Sequence, residues 1–148
     1  MTKLEATASV RVGVSPERAF EIFTGDISTW WRKGTYYWNH PDTGLRYEFE
    51  SGLGGRLLEY YGEGSVFEVG TITGWEPGSL LQYTWREESW TADELTTVTV
   101  RFTADGDGTL VDVTHVGWES LGDNALGSLG GYSEGWLELL EFYSALAG

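Results

Sequence analysis

The sequence predicts an α+β fold in which a curved antiparallel sheet wraps around one long C-terminal helix. Apolar residues alternate with polar ones through the middle of the chain, as in half-buried strands. In the last third they recur at helical spacing instead. Glycine-rich turns divide the middle into short strands. The chain of 148 residues has the size of one domain, so we expect residues 1–148 to form a single domain.

The first elements are predicted to be a strand and two short helices. Val10, Val12 and Val14 alternate with polar or small residues, which indicates a half-buried strand. Residues 15–17, Ser-Pro-Glu, are typical of a helix start, with a serine cap, proline at the first helical position and an acid in the first turn. Gly25 and Asp26 interrupt this helix, so residues 26–31 are expected to form a second one.

The middle of the chain is predicted to be a loop followed by antiparallel strands. Residues 32–43 are polar and aromatic, which favours a loop. The strand pattern begins near Tyr47, and the later strands are 56–61, 66–76, 80–86, 95–104 and 109–118. In strand 95–104 the apolar residues Val98, Val100 and Phe102 alternate with polar ones, so one face of the sheet should be apolar.

The segment from about residue 126 to 146 is predicted to be an amphipathic helix with glutamates on its polar face. Its apolar face consists of Leu129, Tyr132, Trp136, Leu140 and Tyr143. The sheet is the one predicted surface that this face can cover. Sheet and helix curve apart at their ends, so large aromatic side chains can line a cavity between them.

Composition and charge exclude several classes of protein. Nine basic and 23 acidic residues give a net charge of −14, which disfavours nucleic acid and anionic membranes as partners. No segment has the roughly 20 apolar residues that a membrane-spanning helix needs, and the N-terminus lacks the apolar region of a secretory signal. The absence of cysteine excludes disulfides and thiolate metal sites. We therefore expect a cytoplasmic protein.

Several short motifs, taken in order along the chain, resemble the SRPBCC (START/Bet v 1-like) superfamily. The motifs are Ser-Pro-Glu-Arg-Ala-Phe at 15–20, Trp-Trp at 30–31, Gly-Gly-Arg at 54–56 followed by Glu59, residues 70–77, residues 81–85, Thr-His-Val-Gly-Trp at 114–118 and Gly-Trp at 135–136. The closest resemblance is to the branch related to the activator of heat-shock-protein-90 ATPase.

This resemblance implies a helix-grip fold with a largely apolar pocket. Members of the superfamily bind lipids, hormones and polyketides, and some catalyse cyclisation or hydrolysis. The eukaryotic activator has an additional N-terminal domain that this sequence lacks, so co-chaperone activity is not expected to carry over.

Few residues form a recognisable chemical motif. The two histidines, His40 and His115, have no metal-ligand spacing with acids, so no metal site is expected. The glycine pairs at 54–55 and 130–131 do not belong to a phosphate-binding loop, and no Gly-x-Ser-x-Gly motif occurs. We therefore expect no cofactor.

His115 is the more informative histidine. Val111 and Val113 share its face of strand 109–118, so His115 points inward if these valines cover the helix. It is then either a structural histidine bonded to a backbone or hydroxyl group, or a ligand anchor or general base.

Glu59 is a second candidate site residue. It shares a strand face with Leu57 and Tyr61, but alternation alone leaves open whether that face is the inner one. The resemblance favours it as a recurring position. A buried Glu59 would need a partner, for which Arg or His is the natural choice. A structural ion pair, acid–base work and binding of a ligand's polar end all remain open.

Aromatic residues are candidates for the wall of the pocket, and the sequence contains eight tryptophans and eight tyrosines. Together with Glu59 and His115, the predicted lining consists of Trp30, Trp31, Tyr83, Trp85, Trp118 and Trp136. Trp118 has the opposite parity to His115 and joins the lining only if Gly117 marks a bulge. Each aromatic residue can equally be a core residue.

Three functions remain open at this point. The first is binding of an apolar or aromatic small molecule with one polar end. The second is an enzyme of the cyclase or hydrolase kind that uses His115 with an acid such as Glu59. The third is a protein-interaction module related to chaperone ATPase activators, whose acidic outer face would bind a basic partner. The sequence leaves the ligand, any catalysis and the oligomeric state undetermined.

Overall fold

Seven antiparallel strands form one curled sheet, and a long C-terminal helix packs against it. The computed structural model describes residues 4–31, 39–40 and 42–148. The strand order across the sheet is β1-β7-β6-β5-β4-β3-β2, so chain neighbours pair except where β1 adds to β7. The predicted α+β helix-grip fold is confirmed.

The elements follow one another as the sequence predicts, except that the last strand ends at Val116 and a 3₁₀ helix that was not predicted precedes the C-terminal helix. Their bounds are β1 Glu5–Val12, α1 Pro16–Gly25, α2 Ile27–Trp30, β2 Gly44–Phe49, β3 Arg56–Tyr61, β4 Val66–Glu76, β5 Leu80–Trp85, β6 Thr96–Asp105, β7 Gly108–Val116, a 3₁₀ helix Trp118–Asn124, and α3 Ala125–Ala147. The predicted loop at 32–43 falls largely outside the described residues.

The start of α1 has the predicted capping structure. Ser15 is extended, and its hydroxyl accepts a hydrogen bond from the Arg18 backbone N–H at 3.2 Å. Pro16 is the first helical residue, where a missing N–H has no cost. The helix ends at Gly25, and α2 follows after Asp26.

The strand β1 begins earlier than the valine alternation predicts. It pairs with β7 along its whole length, from Glu5 opposite Val116 to Val12 opposite Thr109. Its first inward residues are Ala6 and Ala8, whose small side chains give a weak hydrophobic pattern.

A bulge between β3 and β4 helps to curl the sheet towards β2. The pairing shifts between Leu57 and Leu58, and Gly70 lies opposite Leu57. A Cβ atom on Gly70 would lie 1.7 Å from the Thr84 carbonyl oxygen, so a larger residue would force the strands apart. The close approach of β4 to β5 beside the bulge therefore depends on glycine at this position.

Most of the predicted apolar face of α3 is buried, but Leu129 is only half-buried and Leu139, outside the predicted face, is buried as well. Trp136, Leu139, Leu140 and Tyr143 are all almost completely buried. The Tyr143 hydroxyl donates a hydrogen bond to the Ala19 carbonyl at 2.7 Å and so ties α3 to α1. On the sheet, Val98, Val100 and Phe102 are buried while the residues between them are not, which confirms the predicted faces of β6.

Candidate ligand-binding site

His115 lies on the inner face of β7 and is fully buried. Its Nδ1 accepts a hydrogen bond from Trp136 Nε1–H of α3 at 3.1 Å. Its Nε2 lies 2.7 Å from Thr96 Oγ1 of β6, and that hydroxyl in turn donates to the Trp85 carbonyl at 3.0 Å. The hydroxyl has one proton, so this network assigns the imidazole proton to Nε2. Both ring nitrogens therefore have partners.

Burial lowers the pKa of His115 to about 3. The ring is therefore neutral at physiological pH. Its partners connect β6, β7 and α3, as a structural histidine would. Contact with a ligand through either nitrogen would require one of these hydrogen bonds to open.

Trp118 reaches the inner side of the sheet through a left-handed glycine. Gly117 follows the end of β7 with φ of 97°, a conformation that glycine adopts without strain. The Trp118 ring then lies 4.4 Å from the His115 ring, between centroids, and its Nε1–H donates to the His115 carbonyl at 2.8 Å. The parity difference is thus resolved by a turn after the strand and not by a bulge within it.

Glu59 lies with its carboxylate fully buried on the side of β3 that faces Tyr47. Oε1 accepts hydrogen bonds from Asn39 Nδ2 at 2.7 Å and from the Tyr47 hydroxyl at 2.9 Å. Oε2 accepts from the backbone N–H groups of Asn39 at 3.0 Å and His40 at 3.3 Å. These four donors are neutral, whereas burial led us to expect an Arg or His side chain. Burial and the neighbouring carboxylate raise the pKa of Tyr47 well above its usual value.

Asn39 and His40 also contact the loop between β5 and β6. Asn39 Oδ1 accepts a hydrogen bond from the Glu88 backbone N–H at 2.9 Å, and His40 Nε2 lies 2.7 Å from Glu88 Oε2. The His40 ring packs edge-on against Tyr61 at 4.8 Å. This two-residue segment thus joins β3 to the β5–β6 loop, with Glu59 as its buried attachment.

An aromatic cluster lies between Glu59 and His115. We define it as Trp31, Tyr47, Trp85, Trp118, Tyr132 and Trp136, all buried. Ring centroids in the cluster are 5.3 Å apart for Trp31 and Tyr47, 5.5 Å for Trp31 and Trp85, and 5.8 Å for Trp31 and Trp136. Trp118 and Tyr132 are 5.1 Å apart. The cluster connects the two polar centres through ring contacts.

Two of the predicted lining residues lie outside this cluster. Trp30 packs against Phe23 and Tyr143, at 4.8 Å and 5.4 Å between centroids, and contacts the cluster only at its edge, through Trp31 at 5.6 Å. Tyr83 lies on the inner face of β5 with its ring 5.1 Å from that of Phe49. The structure brings the other six together: Trp31, Trp85, Trp118, Trp136 and His115 directly, and Glu59 through Tyr47.

An open groove of about 460 Å³ lies beside α3 at the edge of the cluster. Its lining consists of Glu87, Ser128, Gly131, Tyr132, Glu134, Gly135 and Glu138. The Tyr132 hydroxyl accepts a hydrogen bond from Trp85 Nε1–H at 2.8 Å and donates to Glu87 Oε2 at 2.6 Å. Tyr132 therefore separates the groove from the other five residues of the aromatic cluster.

Sequence reasoning missed Tyr47, Glu87 and Tyr132 as site residues. Glu87 continues the parity of Tyr83 and Trp85 beyond the end of β5, so extending that pattern would have found it. Tyr132 is four residues before Trp136 on the apolar face of α3. The bond between Tyr47 and Glu59 depends on the register of β2 with β3, which the sequence does not give.

Two features are absent from the residues that the structure describes. No group of three or more His, Asp or Glu in residues 4–31, 39–40 and 42–148 is arranged to hold a metal ion. Over the same residues, no helix is both long enough and apolar enough to cross a membrane.

Comparison with solved structures finds many proteins of the same fold. Protein MLL2253 of Mesorhizobium loti has a TM-score of 0.72 and 19% identity, covering 96% of this chain and 95% of that one. Protein BH1534 of Bacillus halodurans has a TM-score of 0.68 and 19% identity, covering both chains completely. Txn09, described as an anthrahydroquino-γ-pyrone synthase, has a TM-score of 0.65 and 27% identity, covering 95% of each chain.

Sequence comparison identifies the family. The search of curated proteins gives no significant match. A family model described as activator of Hsp90 ATPase homolog 1-like protein matches residues 13–147, which is nearly the whole chain. The structural neighbours are of the SRPBCC type, which agrees with the resemblance found in the sequence motifs. The chain therefore belongs to the family of activator of Hsp90 ATPase homolog 1-like proteins.

Proposed function

We propose that this protein binds a small, largely aromatic molecule with one polar end, between the sheet and α3. The position of Tyr132 carries the proposal, because this side chain lines the open groove and also belongs to the aromatic cluster. A groove of about 460 Å³ has the volume of ordinary small-molecule sites. A ligand in the groove reaches the cluster by displacing one side chain.

The charge of the groove limits the ligand's chemistry. Glu87, Glu134 and Glu138 contribute three carboxylates to its lining, in a protein of net charge −14. Such a surface repels anions and attracts cations. We therefore expect neutral or cationic ligands, with aromatic rings that can pack against the indoles of the cluster.

The similarity to Txn09 supports an aromatic ligand. That protein is described as the synthase of an anthrahydroquino-γ-pyrone, a name that denotes fused rings. It is 27% identical to this chain over 95% of both. A planar anthraquinone is therefore a suitable first probe.

The proposal can be tested with 1,4-anthraquinone, whose two carbonyls lie on one end ring, in equilibrium dialysis, alongside native mass spectrometry of gently purified protein. Gly131 lines the groove whereas its neighbour Gly130 does not, and a Cβ on either would meet nothing within 4 Å. Gly131→Phe should fill the groove and weaken binding at least about 10-fold. Gly130→Phe, with the same change in helix propensity, should bind as the wild type does. Equal binding by both variants, or no binding by the wild type, would contradict the proposal.

A second candidate is an enzyme that closes rings, which the likeness to a synthase favours. His115 with Glu59 was the acid–base pair that the sequence suggested. A base whose pKa is about 3 removes protons weakly at neutral pH, so His115 would first have to leave its present hydrogen bonds. A His115→Ala variant that keeps binding but loses turnover would support the enzyme; unchanged turnover would exclude this role for His115.

A further inference from the structure

Within the described part of the chain, Tyr83 lacks the hydrogen bonds that the buried polar groups of Glu59, His115 and Tyr143 make. Its hydroxyl is fully buried and has no hydrogen-bond partner among the residues that the structure describes. Glu59 and His115, in contrast, have partners at every oxygen and ring nitrogen, and the Tyr143 hydroxyl donates to Ala19. A buried, unpaired hydroxyl destabilises a fold, and phenylalanine would occupy the same space without that cost. The hydroxyl at position 83 therefore calls for an explanation beyond packing.

The surroundings of Tyr83 are apolar. Its strand partners are Ile72 on β4 and Val98 on β6, and Phe49 lies against its ring. Burial raises the pKa of its hydroxyl well above the usual value, so it stays protonated and can donate a hydrogen bond.

Tyr83 shares a strand face with residues that lead towards the groove. Tyr83 and Trp85 are on the same face of β5, and Glu87, two residues further on, lines the groove. About 13 Å of extended chain separates Tyr83 from Glu87, at about 3.3 Å per residue. This length is comparable with the long axis of a three-ring aromatic molecule. A ligand that enters past Tyr132 and lies along Trp85 would bring its leading end to Tyr83.

We propose that the Tyr83 hydroxyl donates a hydrogen bond to a carbonyl or hydroxyl oxygen at the inner end of the bound ligand. This assignment rests on the proposed function and names the group that recognises the ligand's polar end. The polar groups of Glu59 and His115 are already engaged, so they are less available for this role. The Tyr61 hydroxyl is also unpaired among the described residues, but the carboxylates of Glu59 and Glu88 are close enough to help raise its pKa and so offer it acceptors.

The test uses two probes of the same shape, 1,4-anthraquinone, which has two carbonyl oxygens on one end ring, and anthracene, which has none. Tyr83→Phe should weaken anthraquinone binding about 5- to 10-fold, the loss expected for one hydrogen bond, and leave anthracene binding unchanged. In the protein without probe, Tyr83→Phe should raise the melting temperature by about 2–4 °C. Tyr143→Phe is the matched control; it loses a real hydrogen bond and should lower the melting temperature.

The outcomes separate this assignment from the proposed function. If the wild type binds anthraquinone and Tyr83→Phe binds it equally well, the assignment is wrong and the proposed function stands. A lower melting temperature in Tyr83→Phe would show that the hydroxyl already has a partner in the empty protein, which also overturns the assignment. If the wild type binds neither probe, the proposed function fails and the assignment fails with it.

Discussion

Glu59 and His115 are both fully buried titratable residues, but different kinds of structure hold them. The partners of the His115 ring come from Thr96 of β6 and Trp136 of α3. Three of the four hydrogen bonds to the Glu59 carboxylate come from residues 39–40, which lie outside every helix and strand. His115 thus connects helix and strands to each other, whereas Glu59 attaches residues 39–40 to the sheet.

This difference separates global from local stability. Opening the His115 network disturbs the packing of α3 on the sheet, which forms part of the core. Opening the Glu59 network releases residues 39–40 while the strands can stay paired. We therefore expect changes near His115 to affect unfolding of the whole chain, and changes at Glu59 to act mainly on local opening.

The largest expected effect is that of Trp136→Ala. This change removes a fully buried indole and leaves Nδ1 of His115 without its donor, so the free energy of unfolding should fall by about 3–5 kcal/mol or more. Urea unfolding measures the loss. The control is Leu137→Ala, whose side chain is exposed on the same helix and should change stability by less than about 0.5 kcal/mol. A loss under about 1 kcal/mol for Trp136→Ala would mean that the indole does not support the core.

Glu59→Gln should have an intermediate and local effect. An NH₂ group replaces one carboxylate oxygen and then faces hydrogen-bond donors. The free energy of unfolding should fall by about 1–3 kcal/mol. Hydrogen exchange should accelerate at the amides of Asn39 and His40 and stay unchanged in β7 and α3. Glu88→Gln is the control; its carboxylate is half exposed beside His40, so its loss should cost less than about 1 kcal/mol. Faster hydrogen exchange throughout the sheet would contradict the expectation that Glu59 acts only on the local opening of residues 39–40.

The pH dependence of the free energy of unfolding tests how tightly the fold holds His115 in its neutral form. The pKa of His115 is about 3 in the folded protein and about 6.5 in the unfolded chain, so acid protonates the unfolded chain first. The stability from neutral His115 is complete above about pH 6.5 and falls by about 1.4 kcal/mol per pH unit as the pH drops towards 3.

The difference in unfolding free energy between wild type and His115→Gln isolates this contribution, because the carboxylates titrate in both proteins. Should the variant fail to fold, ¹⁵N shifts of the wild-type ring provide a second measurement. They should show one neutral tautomer, protonated at Nε2, from about pH 5 to about pH 8. Titration of the ring near pH 6.5 would show that His115 is not buried in the hydrogen-bond network with Thr96 and Trp136.

The smallest expected effect is a gain in stability from Gly130→Ala. Gly130 lies in the first turns of α3 and lacks a positive φ, and a Cβ there would meet nothing within 4 Å. Alanine should stabilise the helix by about 0.5–1 kcal/mol. Thermal unfolding measures the gain, and exchange at residues 39–40 should not change. Gly70→Ala is the opposite control, since its Cβ would collide with the Thr84 carbonyl and should destabilise the protein.

The sequence predicted the fold well because its periodicities are strong. The cap at Ser15, the alternation around Val98 and the apolar face around Trp136 each depend on residues close together in the chain. The inward direction of His115 followed from the same parity argument.

The site was less predictable because its contacts join distant segments. Three of the four hydrogen bonds to Glu59 come from a segment 19–20 residues away, and the two partners of the Tyr132 hydroxyl are 45 and 47 residues away in the chain. No local pattern encodes these pairings. The unpaired hydroxyl of Tyr83 was equally hidden, since only the arrangement of neighbouring strands shows which polar atoms lack partners.

The close packing of the indole rings has an optical consequence. The ring centroid of Trp31 lies 5.6 Å from Trp30, 5.5 Å from Trp85 and 5.8 Å from Trp136. At such separations excitation passes readily between rings, and their coupled transitions should give intense near-ultraviolet circular dichroism. Trp85 is hydrogen-bonded to Tyr132 at the groove. A quinone bound in the groove should therefore quench the fluorescence of all four of these tryptophans. The intrinsic fluorescence of the protein should therefore report occupancy of the groove without any added label.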